Sequence, residues 1–348
     1  MFKGKTICVV IPSYNEEIQI GSVIDRLPSF VDLIVVVDDG SIDDTAKIAR
    51  EKGAYVVSHK KNMGVGAAFQ TGLKTAIKAN VDVMVNIDAD GQFNPLDIEK
   101  LITPIVENMA DFVTASRFIN PELYPKMTSV KFYGNRVMSF LISNIVGQKF
   151  YDVSCGFRAY SREGLHRINL FGQFTYTQET FLDLAFKKVS IVEIPIEVRG
   201  TREFGKSRVA SNLFKYGYQT IKIILNSVRD YKPFSIFAVF ALLCFVISLS
   251  TGSFFIMHYI ETGVFSPHKW AGFTSAFLLC LAFLSLVGGF ILDMFARMRI
   301  NQEEMLFYLK GKSFRVGTEE PLTQKLLIPK ESLNPDYLES NKGEIREA

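Results

Sequence analysis

The sequence predicts an α/β fold, a mostly parallel, doubly wound sheet, followed by an interfacial helix and a two-helix transmembrane hairpin. Three observations predict it. Short apolar runs alternate with helix-patterned segments through the first half; polar clusters stand at the ends of those runs; and two long uncharged stretches lie in the second half.

TICVVI (6–11), DLIVVV (32–37), AYVV (54–57), VDVMVNI (81–87) and DFVTAS (111–116) are short and apolar or β-branched, as strands are. Between them, the segments around 16–27, 43–52, 65–79 and 96–108 carry helical spacing. Such alternation implies parallel strands joined by crossover helices, with ligands at the strands' carboxyl ends. The clusters PSYNEE, DDGS and DADGQ follow the first, second and fourth strands, where ligands are expected. A later apolar run, SIVEIPIEV (190–198), reads as a further strand.

From 206 to 232, Val209, Leu213, Tyr216, Ile224 and Val228 make an apolar face bordered by Lys215, Lys222 and Arg229. A helix so patterned, ahead of a membrane span, belongs in the headgroup region. The runs 234–257 and 270–292 each exceed the roughly 20 residues a helix needs to cross a bilayer. Their connector holds only Lys269, whereas Arg229 and Lys232 precede the pair and Arg297, Arg299, Lys310 and Lys312 follow it. The positive-inside rule then puts the catalytic domain and both termini in the cytoplasm. The expected organisation is a catalytic domain over 1–205, the interfacial helix over 206–232, two spans within 233–293 and a cytoplasmic tail over 294–348.

The net charge of +3 is too small to point to nucleic acid. Four cysteines (Cys8, Cys155, Cys244, Cys280) show no C-x-x-C spacing, which argues against a disulfide framework or a zinc site. In DADGQ, Asp88, Asp90 and Gln92 offer two carboxylates and an amide oxygen at a strand end, a donor set suited to Mg2+ or Mn2+ shared with a diphosphate. A simple Asp-Gly turn is the plain alternative. A calcium loop fits poorly, since the sixth position is Phe93 where glycine is needed. Asp39, after the second strand, is placed to accept from a ribose hydroxyl or a base N–H.

VVIPSYNEE, VVDDGSIDDT, NIDADGQFNP, SRF and CGFRAY in succession resemble the family-2 glycosyltransferases of GT-A (Rossmann-like) fold. With the terminal hairpin, the ordering is similar to the polyprenyl-phosphate glycosyltransferases, which include the dolichol-phosphate mannose and glucose synthases. The resemblance implies a nucleotide sugar (UDP- or GDP-linked) as donor, polyprenyl or dolichyl phosphate as acceptor, a lipid bilayer as partner and transfer with inversion. It implies that Pro12, Tyr14, Glu16 and Asp39 face the nucleotide, with Asp88 between nucleotide and metal, and that Asp90 and Gln92 hold the metal. Arg117 and Arg136 would face phosphates, and Asp152 is the remaining candidate for a catalytic or orienting carboxylate, with Arg158 as its alternative salt-bridge partner. Glu179 either lies under the site or merely opens a helix. Homo-oligomerisation through the hairpin is left open.

GTREFGKS (200–207) satisfies the phosphate-loop pattern G-x-x-x-x-G-K-[ST]. Its bulky interior residues and the short distance to the first span argue against a triphosphatase. In the family it resembles, Arg202, Lys206 and Ser207 would bind the phosphate of the lipid acceptor. A processive polysaccharide synthase carries Q-x-x-R-W, and here the single tryptophan is Trp270, inside a span. A catalytically silent adaptor on the same fold would be expected to lack the acidic motif, which is intact.

Overall fold

The computed structural model describes residues 1–170, 176–199, 222, 224–231 and 233–316, the last five without their side chains. The chain divides into two units, Met1–Gly217 with Phe307–Ala348, and Tyr218–Leu306.

The first unit is built on a seven-stranded sheet: β1 (Ile7–Ser13), β2 (Leu33–Asp38), β3 (Tyr55–Ser58), β4 (Val83–Asn86), β5 (Phe112–Ser116), β6 (Arg158–Ser161) and β7 (Ile191–Pro195), in the order β3-β2-β1-β4-β6-β5-β7. All pairs are parallel except those of β6, which runs antiparallel to β4 and β5. Helices α1 (Glu17–Asp25), α2 (Thr45–Glu51), α3 (Val65–Lys78) and α4 (Ile98–Val106) are the crossovers that the spacing predicts. Every residue of β1 is buried, as expected of a central strand covered on both faces. Helix α3 lies so close to β1 at Gly72 that any Cβ there would collide with Val10.

The reversed strand follows from the chain's path. β5 leaves the sheet at its carboxyl edge, α5 (Ser129–Val146) follows, and the segment 152–157 re-enters at the same edge, so β6 must run downward. Sequence pattern does not announce this strand, because RAYS is short and opens on a charge. Arg158 is nonetheless 0% exposed: its guanidinium donates to the carbonyls of Cys155 (2.7 Å), Thr177 (2.8 Å) and Val153 (2.9 Å) and lies against the Phe112 and Phe181 rings. It therefore fastens the segment that precedes its own strand. α6 (Arg162–Arg167) and α7 (Thr177–Phe186) complete the described helices of this unit before β7.

The second unit holds an antiparallel pair of apolar helices. One is Pro233–Thr262; the other begins at Lys269 and runs to Val316, its part from Phe307 on counted with the first unit. Both are long and apolar enough to cross a membrane, each with an 18-residue stretch of mean hydropathy 2.4. They meet through small and hydroxyl residues: Ser248 and Ser275 each donate to the other's carbonyl, Ser285 donates to Phe237 O, and Ala241, Cys244 and Ala282 are buried between. The segment after 292, expected only as tail, continues the second helix. Asp293–Arg297 and Arg299–Glu303 ion pairs at i,i+4 support it where hydropathy stops. Of the expected interfacial helix, 224–231 is helical and most of the remainder lies outside the described residues, as do Arg202, Lys206 and Ser207.

Candidate active site

The register sets three strand ends side by side: Ser13 of β1 pairs with Asp38 of β2, and Val10 with Asn86 of β4. The loops that follow β1 and β2 are stitched together. Asn15 N donates to Ser41 Oγ (2.9 Å), Ile42 N to Asn15 Oδ1 (2.9 Å) and Glu16 N to Thr45 Oγ1 (2.8 Å). Pro12, Tyr14 and Glu16 thus border Asp38 and Asp39. Asp39 is 3% exposed; Oδ1 meets His59 Nδ1 at 2.7 Å and accepts from Met63 N at 2.9 Å, while Oδ2 accepts from Gly64 N at 2.8 Å. A carboxylate has about four acceptor positions. Among the described residues these contacts take three of them and leave one, on Oδ2.

After β4 the backbone turns sharply. Gly91 sits at φ +69°, in the left-handed region that glycine enters without strain. Gln92 N donates back to Asp90 Oδ1 at 3.1 Å, and the Asp90 side chain is buried. Two bonds then tie Gln92 to the segment that follows β7: Gln92 Nε2 donates to Arg199 O (2.8 Å) and Arg199 N to Gln92 O (3.1 Å).

Asp88 rests on Gly156. A Cβ there would stand 3.0 and 3.2 Å from the two Asp88 carboxylate oxygens and 3.2 Å from Tyr176 Oη. Asn86 Nδ2 donates to Gly156 O (2.9 Å) and Tyr176 Oη (2.8 Å), closing the floor of the site. Burial, then the nearby Asp88 charge, keeps the Tyr176 phenol protonated well above its usual range. Among the described residues no three His, Cys, Asp or Glu side chains cluster as a complete metal cage. Asp88, Asp90 and Gln92 are oxygen donors by type, close together in sequence at the β4 end.

At the end of β5, Arg117 lies on Asp152. Nε and Nη2 donate to the two carboxylate oxygens at 2.6 and 2.9 Å, and Arg117 N adds a third bond at 3.2 Å. Asp152 is 0% exposed. Burial opposes its ionised form, but the Arg117 charge and these hydrogen bonds outweigh burial and hold its pKa below the ordinary aspartate value. Ser154 Oγ accepts from Arg117 Nη2 (2.8 Å) and lies 3.0 Å from Asn135 Oδ1 on α5. Beneath, Glu193 of β7 accepts from the amides of Tyr151 and Asp152, both at 2.8 Å. Its own pKa is pushed up by burial against the pull of those amides.

The segment 152–156 therefore reaches both halves of the site: Asp152 and Ser154 grip Arg117, and Gly156 lies under Asp88. A basic half and an acidic half are joined by one short stretch of chain at the carboxyl edge of a GT-A-type sheet. In keeping with this geometry, residues 8–168 match the family described as Glycosyl transferase family 2. UDP-N-acetylglucosamine–dolichyl-phosphate N-acetylglucosaminyltransferase of Methanococcus voltae is 32% identical over 249 residues, which span 65% of this chain and 99% of that one.

The chain belongs to glycosyl transferase family 2.

Other members of the family that it resembles include the dolichyl-phosphate hexose transferase of Haloferax volcanii, 30% identical over 56% of this chain and 82% of that one. The polyprenol monophosphomannose synthase of Mycolicibacterium smegmatis is 28% identical over 59% and 81%. Among solved structures, glucosyl-3-phosphoglycerate synthase from Mycobacterium tuberculosis in complex with Mg2+ and UDP superposes with a TM-score of 0.52. It is 26% identical and covers 64% of this chain and 79% of that one. The chain is thus a GT-A glycosyltransferase, built from the strands and strand-end motifs that its sequence displays.

Within this glycosyltransferase, the expected residues fall in three groups. Pro12, Tyr14, Glu16 and Asp39 border the β1 and β2 ends, Asp88, Asp90 and Gln92 the β4 end, and Arg117 and Asp152 the β5 end. Arg136 stands on α5, exposed, donating to Tyr124 Oη at 3.2 Å and lying 5.8 Å from the Phe132 ring. With Phe118 and Lys149 it lines a cavity of about 560 Å³. Arg158 is not the partner of Asp152, because its donors are taken by backbone carbonyls. Glu179 lies in the first turn of α7, as a helix-opening acid would. Ser154, Asn135, Gly156, Glu193 and Asn86 carry no signal of their own in the sequence. Gly156 does lie within CGFRAY, two residues before Arg158, and Ser154 two residues after Asp152.

Proposed function

We propose that this glycosyltransferase is a membrane-anchored enzyme that moves one sugar, with inversion, from a UDP- or GDP-linked donor to polyprenyl or dolichyl monophosphate. The observation that carries the reading is the clasp at 152–156, which binds an arginine suited to an anion and an acidic cluster suited to a cation into one structure. The names of the relatives above, which act on dolichyl phosphate or polyprenol, support the acceptor class. The two apolar helices support the anchor, and the excess of cations outside their connector supports cytoplasmic termini.

A lipid monophosphate has a second pKa near 6 and is already nucleophilic at neutral pH, so no general base is needed. The work left to the protein is to hold two anions in line. Pro12, Tyr14, Glu16 and the remaining acceptor position of Asp39 orient base and ribose. Asp88, Asp90 and Gln92 would hold Mg2+ or Mn2+, which when bound neutralises the departing diphosphate. Arg117 donates to phosphate oxygens from a fixed position, because Asp152 and Ser154 hold its guanidinium. Asp152 is in this sense a positioning residue. Arg136, Arg202, Lys206 and Ser207 complete the acceptor's phosphate contacts, the last three from the stretch that follows Arg199 in sequence.

Full-length protein incubated with radiolabelled nucleotide sugars, polyprenyl phosphate and Mg2+ should give chloroform-extractable label with one donor, at a rate about 10²–10³-fold lower with Asp90→Ala. No glycolipid from any donor, or label growing into a long water-soluble polymer, would count against the proposal. Arg202→Ala should raise the KM for lipid phosphate more than that for the donor.

A further inference from the structure

Strand β7 alternates between its two faces. Val192 and Ile194 pack into the core that α4 helps to cover, so Glu193 between them faces the other way, toward the segment 151–152. Its carboxylate takes two consecutive backbone amides, one on each oxygen: Tyr151 N donates to Oε2 and Asp152 N to Oε1, both at 2.8 Å. The basic half of the site hangs on those two amides. Asp152, held at its amide, grips Arg117 through its own carboxylate. Tyr151, with Phe150 and Lys149, forms one wall of the cavity that Arg136 and Phe118 also line. The other end of that wall is fastened to α5, where Phe150 N donates to Ser143 Oγ at 2.9 Å.

A carboxylate is an unfavourable choice for a merely structural peg here. Glu193 stands close to a second ionised carboxylate, Asp152; burial, and less so the Asp152 charge, raise its pKa against the pull of the two amides. A carboxyl whose folded pKa lies above its unfolded value lowers stability as pH rises through that range, so holding Glu193 ionised at neutral pH opposes folding. Geometry accounts for the charge. Only a carboxylate presents two acceptor oxygens, whereas glutamine would meet one of the two N–H groups with its own NH2. Among the described residues Asp152 is the charge that faces Glu193, and Arg117 acts on it through Asp152. Thr114, beside it on β5, is uncharged, and the charges of α4 lie behind the opposite face of the sheet.

We propose that Glu193 is a positioning residue for the acceptor phosphate: its two oxygens fix together the aspartate that orients Arg117 and the wall of the cavity that Arg136 lines. The inference rests on the reading of Arg117 and Arg136 as phosphate-facing, and it names what keeps them in place.

The test measures KM for polyprenyl phosphate and for the nucleotide sugar on full-length native protein and Glu193→Gln in phospholipid vesicles. At about pH 7.5, Glu193→Gln should raise acceptor KM about ten-fold, the scale of one lost hydrogen bond to a charged group, with donor KM and its Mg2+ dependence unchanged. As pH falls, the native acceptor KM should climb toward that of Glu193→Gln, because protonated glutamate has lost the same acceptor. An unchanged acceptor KM with a lowered thermal midpoint would assign the contact to stability alone and overturn the proposal, as would equal rises in both KM values. Should Glu193→Gln fail to fold, the native chain decides. The Ki of polyprenyl sulfate, an anion whose charge is constant over the range, should rise several-fold from about pH 7.5 to about pH 5, and a flat Ki overturns the proposal. No glycolipid from native protein with any donor would instead defeat the acceptor reading itself.

Discussion

Two strand ends carry the same sequence grammar and are put to different uses. DDGS after β2 and DADG after β4 each place two carboxylates before a left-handed glycine. Asp39 is turned inward: its oxygens meet His59 and the amides of Met63 and Gly64, so it organises the start of α3. Asp88 faces a glycine that supplies no side chain, and Asp90 folds a turn whose Gln92 is fastened to Arg199. Acid at the end of a buried strand thus does not define a cation site. What the fold sets opposite the acid does.

The largest effect should separate the two ends outright. Asp90→Ala is expected to lower kcat by about 10²–10³-fold, the scale for removing one electrostatic partner of a transition state, with the thermal midpoint little changed. Asp39→Ala should do the reverse in part. Leaving two part-buried amides and an imidazole without an acceptor costs about 1–3 kcal/mol of stability, read as a fall in denaturation midpoint. If the two variants shift activity and stability in the same proportions, the contrast is wrong.

Gly156→Ala tests the seat of Asp88 more finely. The added methyl would press on both carboxylate oxygens and on Tyr176 Oη. An activity loss of about ten-fold, partly recovered at high Mg2+, is expected, with at most about 1 kcal/mol of destabilisation because the neighbours can shift by tenths of an ångström.

The smallest effect is one of pH. The Asp152 pKa is lowered in the fold, so the stability it confers is present above the ordinary aspartate value and is lost as pH falls through the lowered one. Asp152→Asn lacks this component. Its thermal midpoint should lie below that of the native chain at neutral pH, and the gap should narrow in acid.

Much of this was legible in the residues. The strands β1 to β5, their crossovers and the polar clusters at their ends follow from period and composition, because local pattern decides each of them. The clasp is not legible, since Asp152 meets Arg117 across 35 positions and the sequence offers Arg158 nearer at hand. β6 is hidden for a related reason: its first residue is a buried arginine, satisfied by three carbonyls that only the folded chain brings together. The second long helix outruns its apolar stretch because ion pairs sustain helix where hydropathy gives no sign of it.

The division of the site into a cation half and an anion half is tested most directly by a pair of KM values. For Asp90→Ala and Arg117→Ala, KM is measured for the nucleotide sugar as a function of Mg2+ and for polyprenyl phosphate at saturating donor. Asp90→Ala should abolish the Mg2+ dependence of donor KM and leave acceptor KM near its native value, while Arg117→Ala should raise acceptor KM and keep the Mg2+ dependence. Identical changes in both variants would contradict the division.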